Sequence, residues 1–271
     1  MRLVEVIPGE SPLVFSQPHV GTALPPEVTA ALLDLGRSVP DTDWWIDRLY
    51  APLAERFSAT VVRQGWSRYV IDVNRDPSGA SLYPGKATTG LVPTETFDGE
   101  PIWRPGAEPD PAEIARRRRH FFEPYHAALA GAIEAARIRH GFCLLWDCHS
   151  IRSRIPRLFE GRLPTFNLGT FDGRSCSPAL RTAAERVLAA SGAAFVVDGR
   201  FKGGWITRHY GRPAERIEAL QMELAQTAYM DEAPPWTFRE EKAREVRAVL
   251  ANLIETLLEE AARRQARGTA P

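Results

Sequence analysis

Leu144-Leu145-Trp146-Asp147-Cys148-His149-Ser150 limits what this chain can become more than any other stretch. An apolar run opened by Gly141 stops abruptly on an acid, a thiol, an imidazole and a hydroxyl. So short a run, bounded in this way, reads as a buried strand rather than a helix. In an open α/β sheet, ligands collect in the crevice beyond the carboxyl ends of the strands, which puts Asp147, His149 and Ser150 at its mouth. His149 reads as a metal ligand, and a hydrogen-bonded histidine in a strand-end turn is the competing account.

The rest of the chain supplies the partners such a strand needs. Leu13-Val14-Phe15-Ser16 is a second core strand that runs directly into the turn-forming Gln17-Pro18-His19-Val20-Gly21-Thr22. Pro25 and Pro26 open a helix to about Leu35, and a further helix after Pro40 carries Trp44, Leu49, Leu53 and Phe57, with Asp41 and Asp43 at its amino end. Ala59-Thr60-Val61-Val62-Arg63 and Tyr69-Val70-Ile71-Asp72-Val73 are β-branched runs, expected to pair as neighbouring strands. Pro77 to Pro109 is rich in Pro, Gly and Thr, without periodicity, and is expected to be an excursion able to cover a site.

Asp110-Pro111-Ala112-Glu113 starts a long helix to about His140 that Pro124 should kink or divide. His120, His126 and His140 on it read as surface or packing residues. After the arginine-rich loop 151–164, strands are expected at 165–169 and 194–198, with a helix between Ser177-Pro178 and Gly192. Gly203-Gly204 marks a close backbone approach, to a ligand or to another strand. Ile217 to Leu224 alternates, setting Glu223 among apolar neighbours on a strand, and Thr237-Phe238-Arg239-Glu240 is a capping box for a helix to about Arg267, before a short frayed tail.

With 271 residues, 44% hydrophobic and 25% charged, the chain is expected to be a single α/β domain over 1–271, its core spanning about 11–232 and its last helix about 237–267. Thirty-four basic residues balance 34 acidic ones, so no net field draws it to nucleic acid or an anionic membrane, and a small anionic substrate fits better. Three cysteines without paired spacing point to reduced thiols and the cytoplasm. Neither the stretch from Met1 to Gly9 nor any later run has the apolar length of a signal peptide or a membrane span. The expected assembly is a monomer or a small homo-oligomer.

Two strand ends carrying His19 and His149, an acid cluster after the first and the lone Glu223 make up the inventory of a catalytic zinc site. Two imidazoles and a carboxylate leave a fourth position for water, and a carboxylate outside the shell can take its proton.

Six segments in order also resemble the N-formylglutamate deformylase (N-formylglutamate amidohydrolase) family, over about residues 11–232. They are Gln17-Pro18-His19-Val20-Gly21-Thr22, Asp41-Thr42-Asp43-Trp44, Arg68 through Pro77, Asp147-Cys148-His149-Ser150, Lys202-Gly203-Gly204-Trp205-Ile206-Thr207 and Leu220-Gln221-Met222-Glu223. The resemblance implies cleavage of N-formyl-L-glutamate to formate and L-glutamate, in histidine degradation. It also implies a zinc-carboxypeptidase-like fold, a three-layer α/β/α sandwich around a mixed sheet. It makes His19, His149 and an acid, Asp43 before Asp41 or Asp47, the ligands of one divalent ion, zinc or a similar metal. Glu223 becomes the general base and Asn74-Arg75 the pair that holds a carboxylate, with Arg208 or Lys202 for a second one. Three rivals stand beside this: the same fold acting on another N-acyl amino acid, a binuclear phosphoesterase, and a metal- or anion-binding regulator without catalysis. The second lacks a motif for another metal, and an intact Glu223 speaks against the third.

Overall fold

The computed structural model describes residues 4–268. Seven strands, β1 (Val4–Ile7), β2 (Leu13–Gln17), β3 (Thr60–Gln64), β4 (Cys143–Ile151), β5 (Phe166–Gly169), β6 (Phe195–Val197) and β7 (Ile217–Ala225), form one mixed sheet in the order β1-β3-β2-β4-β7-β5-β6. Its helices are α1 (Pro26–Ala31), α2 (Asp34–Arg37), α3 (Ile46–Arg56), α4 (Pro111–Arg117), α5 (Glu123–His140), α6 (Pro178–Ala190), α7 (Trp205–Tyr210) and α8 (Glu240–Gly268).

Period-two alternation along the central strands builds the layers. Leu13, Phe15, Leu144, Trp146, Leu220 and Met222 face a core completed by α3, α6 and α8. Val14, Leu145 and Ala219 face the other way, into a core completed by α1, α5 and α7. The expected three-layer sandwich with a mixed sheet is therefore what the chain adopts. β2, β4 and β7 run parallel side by side, so their carboxyl ends share one edge. Asp147 and His149 of β4, and Gln221 and Glu223 of β7, follow the parity of Leu145 and Ala219 and so lie on the α5–α7 side.

Several local expectations need correction. Tyr69 to Val73 forms turns rather than a strand, and β3 pairs instead with β2 and with the unforeseen edge strand β1. Val70, Ile71 and Val73 are buried by packing into the α5-side core, so burial rather than a ladder explains their β-branched character. The helix expected over 25–35 is broken into α1 and α2 at Leu32-Leu33, where Leu33 N–H bonds to Ile102 O. Pro124 does divide the long helix, with a π-helical turn Arg118–Phe122 between α4 and α5. α8 begins at Glu240 rather than about 237, since Phe238 is still bridged to Met230. α7 was not foreseen, since six residues hold too little periodicity to read.

Other signals appear as expected. The Asp110 side chain caps α4 through Glu113 N at 2.8 Å, and Gly141 ends α5 with φ 77°. Residues 77–109 contain neither helix nor strand, and 79–91 contribute a wall to the cavity described below. The three cysteines are buried and unpaired, and among the described residues no helix is long and apolar enough to cross a membrane. The leader reading falls partly on residues 1–3 and the frayed tail on 269–271, outside the described residues.

His126 ties α5 to the rim of the site, its Nε2 at 2.8 Å from Val73 O and its Nδ1 at 3.0 Å from the Tyr210 hydroxyl. Burial pushes this imidazole down to about 4. The unfolded chain then binds the extra proton first, so the stability this histidine contributes is present above about pH 6.5 and is lost as pH falls through about 4. His126→Gln should flatten that acid limb in urea melts followed from pH 7 to 4. An unchanged slope would remove His126 as its source.

Candidate active site

The parallel register sets the reacting groups side by side. His149 pairs with Glu223 across β4 and β7, and Asp147 pairs with Gln221. His19 comes from the turn after β2, and its carbonyl accepts the Asp43 N–H at 3.0 Å, drawing the segment before α3 into the same edge. Val39 and Trp45, with φ of 44° and 63°, flank that segment in left-handed conformations, a backbone cost tolerated where a side chain must be aimed.

His19, Asp43 and His149 converge, with one ligand atom from each lying within 4.8 Å of the others. Each histidine is held in the same way. His19 Nε2 lies 2.7 Å from Asp72 Oδ1, and His149 Nε2 lies 3.1 Å from Asp147 Oδ2. Both rings thereby turn Nδ1 toward Asp43 Oδ2, His149 at 2.9 Å and His19 at 3.7 Å. A carboxylate behind each imidazole orients it, as behind metal-bound histidines. Asp41 is engaged elsewhere, accepting from the Tyr69 hydroxyl at 2.7 Å and Phe97 N at 2.8 Å, and Asp47 caps Arg48 N.

Arg68 balances the buried acids. It donates to His19 Nδ1 and lies 3.8 Å from Asp43 Oδ1 and 3.9 Å from Asp72 Oδ2. Burial alone would raise the Asp43 carboxyl, but His19, His149 and Arg68 hold it below the usual range. Burial opposes a charge on His149 too, yet Asp147 and Asp43 push its pKa well up. Three buried carboxylates, Asp43, Asp72 and Asp147, thus meet two guanidinium groups, Arg68 and Arg75, and the His149 imidazole. Two Nδ1 atoms with a carboxylate are donors that a divalent cation such as zinc accepts. It would compete with Arg68 for the His19 lone pair.

Glu223 is 7% exposed and takes a 3.3 Å bond from Gln221 Nε2. Burial lifts its pKa to about 8, Asp43 and Asp147 adding to the rise against His149 and Arg68. A cavity of about 170 Å³ opens over these groups, walled by Asn74, Arg75, residues of the 79–91 segment, Leu158, Arg200 and Phe201.

Asn74 lies 3.0 Å from His149 Nε2 through its amide nitrogen, and its Oδ1 accepts from Ile206 N at 2.8 Å. Gly204 packs so tightly on it that an added Cβ would come within 2.4 Å of the Asn74 amide, so the close approach expected of the paired glycines is to this side chain. Arg75 bonds Thr89 O at 3.0 Å and lies 3.5 Å from Asp72 Oδ2. Arg208 is not among the cavity-lining residues; it bonds Gly203 O at 2.8 Å and Leu82 O at 2.9 Å. Lys202 pairs with Asp172 at 2.8 Å.

Sequence reasoning gave no role to Asp72, Arg68, Gln221 or Arg200, and placed Asp147 at the site without its task. Asp147 was within reach, since a period-two neighbour of His149 shares its face. Asp147→Asn should weaken divalent metal affinity by ~10–100-fold, the usual cost of losing the group behind a metal-bound histidine. Competition against a chelating dye measures it, and unchanged affinity would mean that His149 is not oriented by Asp147.

Comparisons with known proteins converge on one family. Residues 11–230 match the family model of N-formylglutamate amidohydrolase. N-formylglutamate deformylases of Pseudomonas aeruginosa and Pseudomonas putida are each 48% identical over 251 residues, covering 92% of this chain and 94% and 93% of theirs. The crystal structure of N-formylglutamate amidohydrolase from Ralstonia eutropha superposes with a TM-score of 0.78 at 29% identity, over 99% of this chain and 100% of that one. A gene product of Agrobacterium tumefaciens has the same fold, with a TM-score of 0.73 at 19% identity over 96% of each chain. The chain belongs to the N-formylglutamate amidohydrolase family.

Proposed function

We propose that this chain hydrolyses N-formyl-L-glutamate to formate and L-glutamate, with one divalent ion, zinc by its donor set, held by His19, Asp43 and His149. The observation that carries the reading is the adjacency of Glu223 to His149 at the carboxyl edge of the sheet, inside one small cavity. The name of relatives at 48% identity supports the substrate. Bound there, the cation supplies Lewis acidity and makes water acidic enough to deprotonate near neutral pH.

The chain's own residues divide the remaining work. Glu223 takes the proton of the attacking water and returns it to the departing amine as the formyl C–N bond breaks. Its buried position favours the protonated form, and a nearby cation favours the ionised one. Asn74 and Arg75 hold a substrate carboxylate, Arg75 with the planar fork that matches it. The 79–91 segment walls the site.

Glu223→Gln preserves shape and removes the base. Turnover should fall ~10²–10⁴-fold, the contribution of a positioned acid-base group, with metal content retained. Steady-state rates near wild type would remove Glu223 from the mechanism. The same variant carries a stability signature in the metal-free protein. With a folded pKa of about 8 against an ordinary 4.5, the folded state holds a proton the unfolded chain has released. That contribution is fully present below about 4.5 and is lost as pH rises through about 8, so Glu223→Gln should flatten the fall in thermal stability across this window.

Arg75→Ala should lower kcat/KM for N-formyl-L-glutamate by ~10²-fold, since a charge-assisted bond and the orientation it gives are both lost. An N-formylated amine without an α-carboxylate should be far less affected. Equal losses on both would make Arg75 a support for Asp72 and Thr89 rather than a substrate contact.

A further inference from the structure

One cation of the cavity is left over by the chemistry above. Arg200, just beyond β6, is half-buried in the cavity wall with Leu158 and Phe201. Its Nε donates to Leu158 O at 2.7 Å and its Nη2 to Ala87 O at 2.9 Å, while the guanidinium sits 5.3 Å from each of the Tyr83 and Phe201 ring centres. Both acceptors are neutral carbonyls, and the Nη1 N–H groups have no hydrogen-bond partner among the described residues.

The other cations near the site are differently placed. Arg68 faces Asp43 and Asp72, and Arg75 faces Asp72. Lys202 is taken by Asp172, and Arg208 lies outside the cavity lining. Among the described residues, Arg200 is therefore the cavity-lining guanidinium without a carboxylate at ion-pair distance. A half-buried cation supported only by carbonyls and aromatic faces is costly, and the nearby charge of Arg75 adds to the cost. Burial, with that like charge, pushes the Arg200 pKa down. A ligand that brings two negative charges into this cavity relieves both guanidinium groups at once.

We propose that Arg200 is a specificity-determining residue that binds the γ-carboxylate of the substrate, opposite Arg75 on the α-carboxylate. The assignment rests on the site reading given above and deepens it, because it names the contact by which a dicarboxylic N-formyl amino acid would be selected over its neutral analogues. Asn74, adjacent to Arg75, touches His149, whereas Arg200, among the described residues, makes no hydrogen bond to the site histidines and is anchored instead on Leu158 O and the Phe201 ring. The formamide would lie at Glu223 and the side chain would extend toward Arg200. Arg200 also joins the 79–91 segment to the site through Ala87, so the residue that reads the substrate helps to hold the wall that encloses it.

The test compares N-formyl-L-glutamate, N-formyl-L-glutamine and N-formyl-4-aminobutyrate, which keeps the distal carboxylate and lacks the α one. They are assayed on metal-loaded wild type, Arg200→Met, Arg200→Lys and Arg75→Ala. The wild-type preference for the glutamate over the glutamine substrate in kcat/KM should fall by ~10–10²-fold in Arg200→Met, the size of one charge-assisted contact, with partial recovery in Arg200→Lys. N-formyl-4-aminobutyrate should lose rate in Arg200→Met and be far less sensitive to Arg75→Ala. A ratio cancels any loss of folded enzyme, so a destabilised variant still gives an answer. A wild type that prefers the glutamate substrate, combined with an unchanged ratio in Arg200→Met, overturns the proposal alone and leaves Arg200 as a tether of the 79–91 segment. A wild type with no turnover of N-formyl-L-glutamate overturns the underlying reading and the proposal with it.

Discussion

A buried chain of charges, running Asp72, His19, Asp43, His149, Asp147 with Arg68 alongside, is the constraint on which the rest of the structure depends. None of these groups tolerates burial alone, since an unpaired ion in an apolar interior loses its hydration without compensation. Each is therefore tied to two neighbours, and the ties come from separate parts of the chain: the turn after β2, the segment before α3, the turns at 68–72 and the end of β4. The network closes only when the sheet has its correct order. That is a reason for the hydrophobic faces of β2, β4 and β7 to be as continuous as they are.

The same network prepares the chemistry. Carboxylates behind His19 and His149 fix both rings with Nδ1 toward a common point, so a group that could hold a metal ion is already oriented. Glu223 sits beside this point on the adjacent strand and keeps its acidity tuned by burial and by neighbouring charge. The irregular 79–91 segment completes the cavity from outside the sheet, fastened by arginines whose donors reach its carbonyls: Arg75 to Thr89, Arg200 to Ala87 and Arg208 to Leu82. Of these three, Arg75 and Arg200 also line the cavity, while Arg208 holds the segment from outside the lining.

What could be read in the sequence followed from local rules. Short apolar runs ending on polar residues identified β2 and β4, and alternation over Ile217 to Leu224 identified β7 and placed Glu223 on the face opposite Leu220 and Met222. Caps located the starts of α4 and α6, and Pro124 the break before α5. The strand expected over 69–73 failed for a tertiary reason. Tyr69 to Val73 has strand composition, yet β1 and β2 already flank β3, so the run packs against the sheet instead of joining it. Composition reports that a residue prefers burial; it does not report which edge is free.

By itself, then, the sequence determined the α/β class, the strand that carries His149 and the kinds of donors available, because each depends on residues within a few positions of one another. His19, Asp43, His149 and Glu223 were nameable as candidates, though from residue type and family resemblance rather than from spacing. Only the tertiary structure decided that Asp43 and not Asp41 meets both histidines, that Asp72 and Asp147 stand behind them, and that Arg200 rather than Arg208 lines the cavity. Those choices turn on distances of a few ångströms between side chains separated by tens of residues, and such distances exist only after the parallel sheet has brought its carboxyl ends together.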